Sequence, residues 1–261
     1  MKKITPESRT IVALSGGKAS AWCAGWALKN RDNVILYFND TKWEDKDLYR
    51  FLDDLERFFG QKIVHDSDGR SVEEVFQDER FLGNSRIAIC SRVLKAQRLQ
   101  NFIEDGDELV FGIGTEERHR AIRISEVYMK VGNKKFNKPI TCTYPLIKEN
   151  INPIQIDEWL KETGIKQPIM YDEGFKHNNC AGGCVRAGKK HWKLLLEKKP
   201  EVYAERERME NEMREELGKD VTILKDITLK KFREDLQANR SFDFPDDDCP
   251  VECVGICSSM N

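Results

Sequence analysis

The sequence has no long apolar run and no marked excess of charge. Of its 261 residues, 34% are charged and 39% are hydrophobic, and no apolar stretch is long enough to span a bilayer. The 43 Lys and Arg residues nearly balance the 45 Asp and Glu residues, so a net charge of -2 gives no general attraction to nucleic acid. Pro6–Arg9 interrupts the start of the chain and excludes a signal peptide there. We therefore expect a cytoplasmic protein without a membrane anchor.

The eight cysteines do not have the pattern of a disulfide framework. Cytosolic thiols stay reduced, and a chain of this length can build a hydrophobic core without disulfides. The spacing is uneven: some cysteines stand alone, one pair is separated by three residues, and three recur near the end. In chain order they are Cys23, Cys90, Cys142, Cys180, Cys184, Cys249, Cys253 and Cys257. This distribution favours metal or sulfur chemistry.

The first half of the chain alternates short apolar runs with amphipathic stretches, the pattern of strands joined by helices in a parallel sheet. The predicted strands are Thr10–Ser15, Asn33–Asn39, Lys62–Asp66, Glu108–Ile113 and Ile140–Tyr144. The predicted helices are Lys18–Asn30, Asp45–Phe59, Ser71–Phe76 and Ser91–Glu104. We predict an α/β fold with a doubly wound, mostly parallel five-stranded sheet. In such folds ligands bind beyond the carboxyl ends of the strands.

After Asn152 the strand pattern stops and a helical C-terminal region is predicted. Its helices are Pro153–Thr163, Lys189–Glu197, Pro200–Leu217 and Leu229–Leu236. Alternating Arg and Glu over Glu205–Glu216 predict an exposed helix with salt bridges along its surface. The chain then divides into an α/β domain over residues 1–150, a helical region over residues 151–240 and an acidic, cysteine-bearing tail over residues 241–261.

The segment Ser15-Gly16-Gly17-Lys18-Ala19-Ser20 follows the first predicted strand and opens the first helix. Glycines at such a junction let the backbone approach a ligand closely, and the unbonded amides at a helix start suit an anion. The hydroxyls of Ser15 and Ser20 add hydrogen-bonding groups, and Lys18 adds a positive charge. A simple Gly-Gly turn is the alternative, but the order strand, glycine turn, helix favours phosphate binding.

This segment resembles the SGGxxS pyrophosphate loop of the PP-loop superfamily, and further segments are similar to its phosphoadenosine phosphosulfate (PAPS) reductase branch. In chain order these segments are Phe38–Glu44, Cys90–Lys95, Gly112–Arg120, Tyr144–Ile147 and Tyr171–Phe175. The resemblance covers about residues 10–215. It implies a PP-loop, HUP-like sheet that binds an adenine nucleotide.

The resemblance also implies which residues form the nucleotide site. Those expected to bind the nucleotide are Ser15, Gly16, Gly17, Lys18, Ser20, Asp40, Thr41, Arg92, Lys95, Gly112 and Glu116. Lys18, Asp40 and Arg120 are expected to act in catalysis, with Asp40 beside Mg²⁺, an ion that prefers carboxylate and phosphate oxygens. Ala19 stands where many ATP-using relatives have Asp, so Asp40 is expected to contribute more.

Three cysteines match ligand positions of the cluster-bearing adenylylsulfate reductases on this branch. Cys90 aligns with the first pair of those enzymes, although its neighbour is Ser91, and Cys180 and Cys184 bracket a glycine-rich turn. We expect a metal centre on these residues, with a 4Fe-4S cluster favoured over zinc because cluster spacing is more varied. The fourth ligand comes from the tail, where Cys249, Cys253 and Cys257 are candidates and Cys253 is the one we select, or the fourth iron stays open.

The tail supports a rival hypothesis. Glu252–Ile256 is similar to the C-terminal element of thiol-dependent PAPS reductases, in which a mobile cysteine, here Cys253, attacks the sulfonyl sulfur. This copy carries an inserted Val254 and has Cys257 where a histidine is expected. The surrounding acidic residues also oppose the low thiol pKa that a nucleophile needs.

Basic residues around Trp192 raise the question of nucleic acid. Lys176–Lys199 holds seven Lys and Arg residues and one acid, Glu197. These residues either follow a phosphate backbone with Trp192 stacked on a base, or form a solvated helix face with Trp192 in the core.

Together these features predict ATP-dependent adenylation of an acceptor, coupled to sulfur transfer that uses an iron–sulfur cluster. The cofactors would be ATP with Mg²⁺ and the cluster. Candidate partners are tRNA, DNA or a small-molecule acceptor, a sulfur-donor protein and a second copy of the chain. The alternatives are a thiol-dependent PAPS or adenylylsulfate reductase and a non-catalytic nucleotide- or nucleic-acid-binding component of a larger system.

Overall fold

Five parallel strands form one sheet in the computed structural model, which describes residues 8–84, 86–129, 137–238, 240 and 242. The strands are β1 (Thr10–Leu14), β2 (Val34–Asn39), β3 (Ile63–Asp66), β4 (Glu108–Phe111) and β5 (Thr141–Thr143). Their order across the sheet is β3-β2-β1-β4-β5, and every neighbouring pair is parallel. The doubly wound α/β fold is therefore confirmed. The strand order reverses beside β1, which is the switch point where such sheets bind ligands.

Helices connect the strands and make up the C-terminal part. The first six are α1 (Lys18–Asn30), α2 (Lys46–Phe59), α3 (Val72–Asp78), α4 (Ile89–Ser91), α5 (Gln97–Phe102) and α6 (Arg118–Met129). The others are α7 (Pro145–Lys148), α8 (Pro153–Thr163), α9 (Ile169–Asp172), α10 (Lys189–Lys198), α11 (Pro200–Leu217) and α12 (Leu229–Gln237). No helix in the described ranges combines the length and apolar character needed to cross a membrane.

The predicted helix Ser91–Glu104 is wrong in detail. The structure places α4 first, then a π-helical turn over Arg92–Ala96, and then α5. A π turn widens the hydrogen-bonded backbone ring by one residue and is frequently found at functional sites. The predicted strand Glu108–Ile113 is also too long, because β4 ends at Phe111 and Gly112 packs against the first turn of α1.

The chain forms two compact units that interleave along the sequence. Unit 1 contains the sheet and comprises Met1–Asn39, Asp47–Asp66 and Arg98–Pro168. Unit 2 is helical and comprises Asp40–Lys46, Ser67–Gln97 and Ile169–Asn261. The domain boundaries at residues 150 and 240 stay a prediction.

The core of unit 1 covers both faces of β1, because all five of its residues are buried. Val12 and Leu14 point into a cluster with Leu36 and Phe38 of β2 and with apolar residues of α1 and α2. Side chains alternate along a strand, so the intervening Ile11, which is fully buried, lies on the other face. Burial on both faces is typical of a parallel sheet and explains the unbroken apolar run of the β1 sequence.

Unit 2 has a separate core of large side chains. Trp192 of α10 packs edge-to-face on Tyr203 of α11, and both are fully buried. Phe232 of α12 belongs to the same cluster. Of the two interpretations of Trp192, the structure supports the core residue, because a fully buried indole cannot stack on a base.

Candidate functional site

The glycine loop of unit 1 has a conformation that only glycine adopts without strain. Gly16 has φ +76°, and a Cβ built there would lie 2.6 Å from Cδ1 of Leu48. Gly17 is the N-cap of α1 and leaves the first turn without a side-chain cap or an acidic residue. The first turn of α1 thus adds no negative charge of its own to the backbone amides at the helix start, which suits an anion.

The serines of the loop hold its shape. The Ser20 hydroxyl donates to the Gly17 carbonyl at 2.9 Å and accepts from the Ser15 amide at 3.1 Å. The hydroxyls of Ser15 and Ser20 are also 3.1 Å apart. Ser20 is buried, so its main contribution here is to tie the two ends of the loop together.

The end of β4 meets the loop in the same unit. A Cβ at Gly112 would lie 2.7 Å from the amide nitrogen of Ser20 and 2.9 Å from the carbonyl carbon of Ala19. Because both contacts are with backbone atoms, neither can move aside as a flexible side chain would. The structure thus brings Gly112 together with Ala19 and Ser20, and the role of these residues in nucleotide binding stays a prediction.

Lys18 has two partners that the sequence did not indicate. Its ammonium donates to Oδ1 of Asp157 on α8 at 2.5 Å and to Oε1 of Gln167 at 3.2 Å. The Asp157 side chain is 43% exposed, so water weakens this ion pair. A bound phosphate would compete with Asp157 for the ammonium.

Two other predicted residues of unit 1 follow β4. Arg120, on the first turn of α6, is buried and pairs with Glu117. Glu116 is exposed, and its carboxylate crowds Gly114, where a Cβ would lie 2.9 Å from Oε2. Glu117, which directly precedes α6, thus balances the Arg120 charge. The sequence did not single out this acid.

Asp40 and Thr41 begin unit 2 directly after β2. Oδ1 of Asp40 accepts a hydrogen bond from the Lys42 amide at 2.8 Å, which forms a tight turn in which Lys42 has φ +58°. Thr41 donates to Oε1 of Glu44 at 2.9 Å. Asp66, a further acid at a strand end, forms an ion pair with Arg98 within unit 1.

Three predicted cysteines of unit 2 line one small cavity. Cys90, Cys180 and Cys184 surround it together with Lys95 and Thr41, and its volume is about 10 Å³. The structure therefore groups Thr41 and Lys95, which were predicted to bind nucleotide, with the cysteines. Burial and a hydrogen bond with Cys184 raise the pKa of the Cys180 thiol well above its ordinary value, with the hydrogen bond as the larger cause.

A buried carboxylate organises this cavity. Glu44 is fully buried and lies 3.5 Å from the ammonium of Lys95, which is also buried. Its Oε2 accepts a hydrogen bond from the Cys180 amide at 2.7 Å. The sequence placed Glu44 in a segment typical of the family, but nothing in that pattern showed that it would join the cysteines.

The turn that carries Cys180 has an unusual backbone. Cys180 and Ala181 have φ of +54° and +50°, and Gly182 follows at +85°. Left-handed conformations at residues other than glycine cost about 1–2 kcal/mol each and persist only where the surroundings impose them. One such constraint is His191, whose Nε2 lies 2.8 Å from the Gly182 carbonyl oxygen.

His191 stacks on a second buried histidine. The rings of His177 and His191 are 4.9 Å apart and nearly parallel. Neither ring nitrogen of His177 has a hydrogen-bond partner. Burial lowers the pKa of His177 to about 3, and burial also lowers the pKa of His191. Both rings are therefore neutral at ordinary pH.

Residues 9–184 match the family model for the phosphoadenosine phosphosulfate reductase domain. This chain belongs to that family. A solved structure, the phosphate complex of phosphoadenylyl-sulfate (PAPS) reductase from Candida auris, is similar with 14% identity and a TM-score of 0.46. The similarity covers 67% of this chain and 82% of that one. No curated protein has significant sequence similarity to the chain.

The PAPS reductase match spans both features described above. It includes the glycine loop of unit 1 and the three cysteines of the unit 2 cavity, and it ends at Cys184. Family membership confirms the resemblance seen in the sequence and supports adenine-nucleotide binding. The remaining cysteines of the tail, Cys249, Cys253 and Cys257, lie outside the described residues, so the roles expected of Cys253 stay predictions.

Three thiols around one cavity are the donor chemistry that an iron–sulfur or zinc centre requires. Among the described residues, no group of three or more His, Cys, Asp or Glu side chains is arranged so that it could hold a metal ion. The cavity volume is also far below that of a cluster. The donors therefore match a metal by type, but their arrangement and the size of the cavity do not fit an ion or a cluster.

Proposed function

We propose that this protein binds ATP on the glycine loop and transfers AMP to an acceptor, as one half of a sulfur-transfer reaction. The observation that carries the proposal is the loop itself, fixed by Gly16 and Gly112 beside the switch point of the sheet. Its amides and Lys18 suit the phosphates of a nucleotide. Membership of the PAPS reductase family supports adenine as the base.

In the proposed reaction, an acceptor oxygen attacks the α-phosphorus of ATP, and pyrophosphate leaves. A sulfur nucleophile then displaces AMP from the adenylated acceptor. The loop would hold the phosphates in line, and Lys18 would balance the charge that develops on the leaving pyrophosphate. Asp40 is the proposed carboxylate ligand of Mg²⁺, because this ion commonly uses one or two carboxylates together with phosphate oxygens.

Cys90, Cys180 and Cys184 are the proposed ligands of the iron–sulfur cluster. When bound, such a cluster supplies a site for sulfur or electron chemistry. The residues of the chain contribute the surroundings: Glu44 fixes the Cys180 amide, and Lys95 supplies a buried positive charge. We also propose a nucleic acid or small molecule as acceptor, and a separate protein as sulfur donor.

Calorimetry with ATP, AMP and PAPS tests the nucleotide site. We expect Lys18→Ala to weaken ATP binding by about 1.5–3 kcal/mol, which is about a tenfold to hundredfold rise in Kd. Lys29→Ala is the matched control, because Lys29 lies exposed on the last turn of the same helix. If none of the three nucleotides binds the wild-type protein, the proposal fails.

A thiol-dependent PAPS reductase is the second candidate, and the family match favours it. In that reaction the Cys253 thiolate attacks the sulfur of PAPS and displaces adenosine 3′,5′-bisphosphate, which leaves a sulfonate on Cys253. A second thiol then forms a disulfide with Cys253 and releases sulfite. Labelled ATP and labelled PAPS, tested in parallel with thioredoxin under anaerobic conditions, separate the two. Sulfite release that is lost in Cys253→Ser would establish the reductase, whereas acceptor-dependent pyrophosphate release would establish adenylation.

A further inference from the structure

Three lysines line one cavity of unit 2, which we call the lysine cavity. Lys176 comes from the segment before the cysteine turn, and Lys190 and Lys193 lie three residues apart on one face of α10. The cavity has a volume of about 350 Å³, and all three lysines are exposed. Because α10 begins after Cys184, where the family match ends, the family model does not account for this feature.

The lysine cavity carries a positive charge that its own acid does not cancel. Among the described residues that line it, Glu197 is the acid, and its carboxylate is 3.7 Å from the ammonium of Lys193. Both side chains of this pair are about half exposed, so water screens their attraction. Three positive charges against one negative charge leave an excess of two positive charges around the cavity.

The walls of the lysine cavity strengthen its field. Leu194 adds an apolar side chain to the lining, and His191 adds a ring that is largely buried. Trp192 and Leu195, on the opposite face of the same helix, are fully buried in the core of unit 2. A cleft that combines charge of one sign with walls of low dielectric constant concentrates field lines and raises the local concentration of anions.

The start of α10 carries cations where a helix normally favours acids. Lys189 and Lys190 lie in its first turn, which holds no acidic residue, and the N-cap Gly188 provides no side-chain cap. The partial positive charge of a helix start repels lysine, and a bound anion would relieve that repulsion. The helix start therefore adds to the attraction that the three lysines of the cavity exert on an anion.

The lining favours the phosphates of a nucleic-acid strand. The charged donors that line the cavity are lysines, which contact phosphates as flexible point charges without the fixed bidentate geometry of arginine. Trp192 is fully buried and cannot stack on a base. Contacts with the backbone alone are independent of base sequence, and several lysines acting together suit phosphates that are linked along one strand.

We propose that the lysine cavity binds the phosphate backbone of a nucleic-acid strand, and that nucleic acid is the acceptor in the proposed function. The choice of acceptor rests on the proposed function, whereas binding at the cavity is a property of unit 2. DNA and RNA share the phosphate backbone, so both should bind, and direct comparison of the two identifies the preferred strand.

Fluorescence anisotropy with the full-length protein, in the absence of ATP, tests this binding. The labelled probes are a short single-stranded DNA, the RNA of the same sequence and the corresponding duplex DNA, at salt concentrations between about 50 and 200 mM. We expect the triple variant Lys176→Gln/Lys190→Gln/Lys193→Gln to reduce the slope of log K against log salt by about 2–3, because three phosphate contacts are lost. At about 50 mM salt its affinity should fall at least tenfold.

A second triple variant, Lys219→Gln/Lys225→Gln/Lys230→Gln, is the matched control. Its three lysines are also exposed in unit 2 and change the net charge by the same amount, but they do not line the cavity. The control should keep the wild-type salt slope, and both variants should keep the wild-type Tm because all six side chains are exposed. Equal losses of affinity in the two variants would show that total charge attracts nucleic acid, and would overturn the proposal.

Inorganic phosphate distinguishes a backbone site from a site for small anions. At an equal concentration of phosphate groups, it should displace far less labelled strand than unlabelled strand does, because separate ions lack the linked charges of a backbone. Equal displacement by inorganic phosphate would overturn the proposal in favour of a small-anion site.

Calorimetry with ATP separates this inference from the proposed function. The triple variant of the lysine cavity should bind ATP as the wild type does, because the glycine loop belongs to unit 1. A wild type that binds ATP but no nucleic acid would overturn this inference alone. A wild type that binds nucleic acid but none of the three nucleotides would overturn the proposed function, and with it the role of nucleic acid as acceptor, but not the binding at the lysine cavity.

Discussion

The glycine loop of unit 1 and the cysteine cavity of unit 2 are built by different means. The loop depends on main-chain geometry: Gly16 is left-handed, and Gly112 touches backbone atoms where any side chain would clash. The cavity depends on buried charge, with the side chains of Glu44 and Lys95 paired and largely shielded from water. A backbone site should fail when a glycine is replaced, whereas a site of buried charges should fail when one charge loses its partner.

Replacing Glu44 should have the largest effect. Glu44→Leu leaves the Lys95 ammonium and the Cys180 amide without this acceptor, and breaking a buried pair costs about 3–5 kcal/mol. The double variant Glu44→Leu/Lys95→Met should recover part of that loss, because no isolated charge remains. Chemical denaturation of the metal-free protein measures both.

Glu212→Leu is the control for the Glu44 variants, since the Glu212 pair with Arg208 is half exposed and should be worth less than about 1 kcal/mol. If Glu44→Leu and Glu212→Leu lower the free energy of unfolding by similar amounts, buried charge does not organise the cavity.

A methyl group at Gly16 should damage the loop. In Gly16→Ala the new Cβ would lie 2.6 Å from Leu48, and alanine would have to adopt a left-handed conformation. We therefore expect the free energy of unfolding to fall by about 2–4 kcal/mol and ATP binding to be lost. Gly164→Ala is closely matched in φ, at +72°, but has open space around it. It should cost only about 1–2 kcal/mol and leave ATP binding intact. Equal losses would mean that conformation alone, and not close packing, requires the glycine.

The two sites also differ in how far the sequence reveals them. Six consecutive residues define the glycine loop, and the strand and helix around it follow from apolar patterns, so the loop and the sheet were predicted well. The three cavity cysteines were grouped through the family resemblance. Asp157 and Gln167 were missed because they reach Lys18 from a distant part of the chain.

Helix α11 shows why buried charge is hard to predict. The alternation of Arg and Glu over Glu205–Glu216 indicated an exposed helix, and that prediction was wrong for Arg206 and Glu210, which are both buried. Arg206 and Glu210 lie at helical intervals from Tyr203, Met209 and Met213, so all five residues are on the buried face of α11. The helical period was therefore present, but a charged residue within an apolar stripe is normally read as exposed.

Acid should weaken the region around the buried histidines. The pKa of His177 is about 3 in the folded protein, against an ordinary value of 6.5, so the unfolded chain binds a proton that the folded protein does not. The stability that this group contributes is present above pH 6.5 and is lost as the pH falls toward 3. Within that window, each unit by which the pH falls lowers the free energy of unfolding by about 1.4 kcal/mol.

His177→Phe removes this titration and should keep the stacking with His191. Between pH 7 and pH 5, the unfolding free energy of the variant should rise relative to the wild type by about 2 kcal/mol. His119→Phe, at an exposed position, should show no such change. A constant difference between His177→Phe and the wild type across this range would mean that His177 is not held neutral by burial.

The smallest effect concerns the ion pair between Lys18 of the loop and Asp157. Asp157 holds the Lys18 ammonium at 2.5 Å, and a phosphate would have to replace it. Because the pair is partly exposed, its contribution is below about 1 kcal/mol, so Asp157→Asn should tighten ATP binding only about twofold to fivefold. Glu158→Gln, on the exposed side of the same helix, should leave the Kd unchanged. In a Lys18→Ala background, Asp157→Asn should leave the Kd for ATP unchanged, because the two residues act through one contact.

Weaker ATP binding by Asp157→Asn alone would contradict this interpretation. Asp157 would then orient Lys18 toward the nucleotide, and the loop of unit 1 would depend on a charge pair as the cavity of unit 2 does.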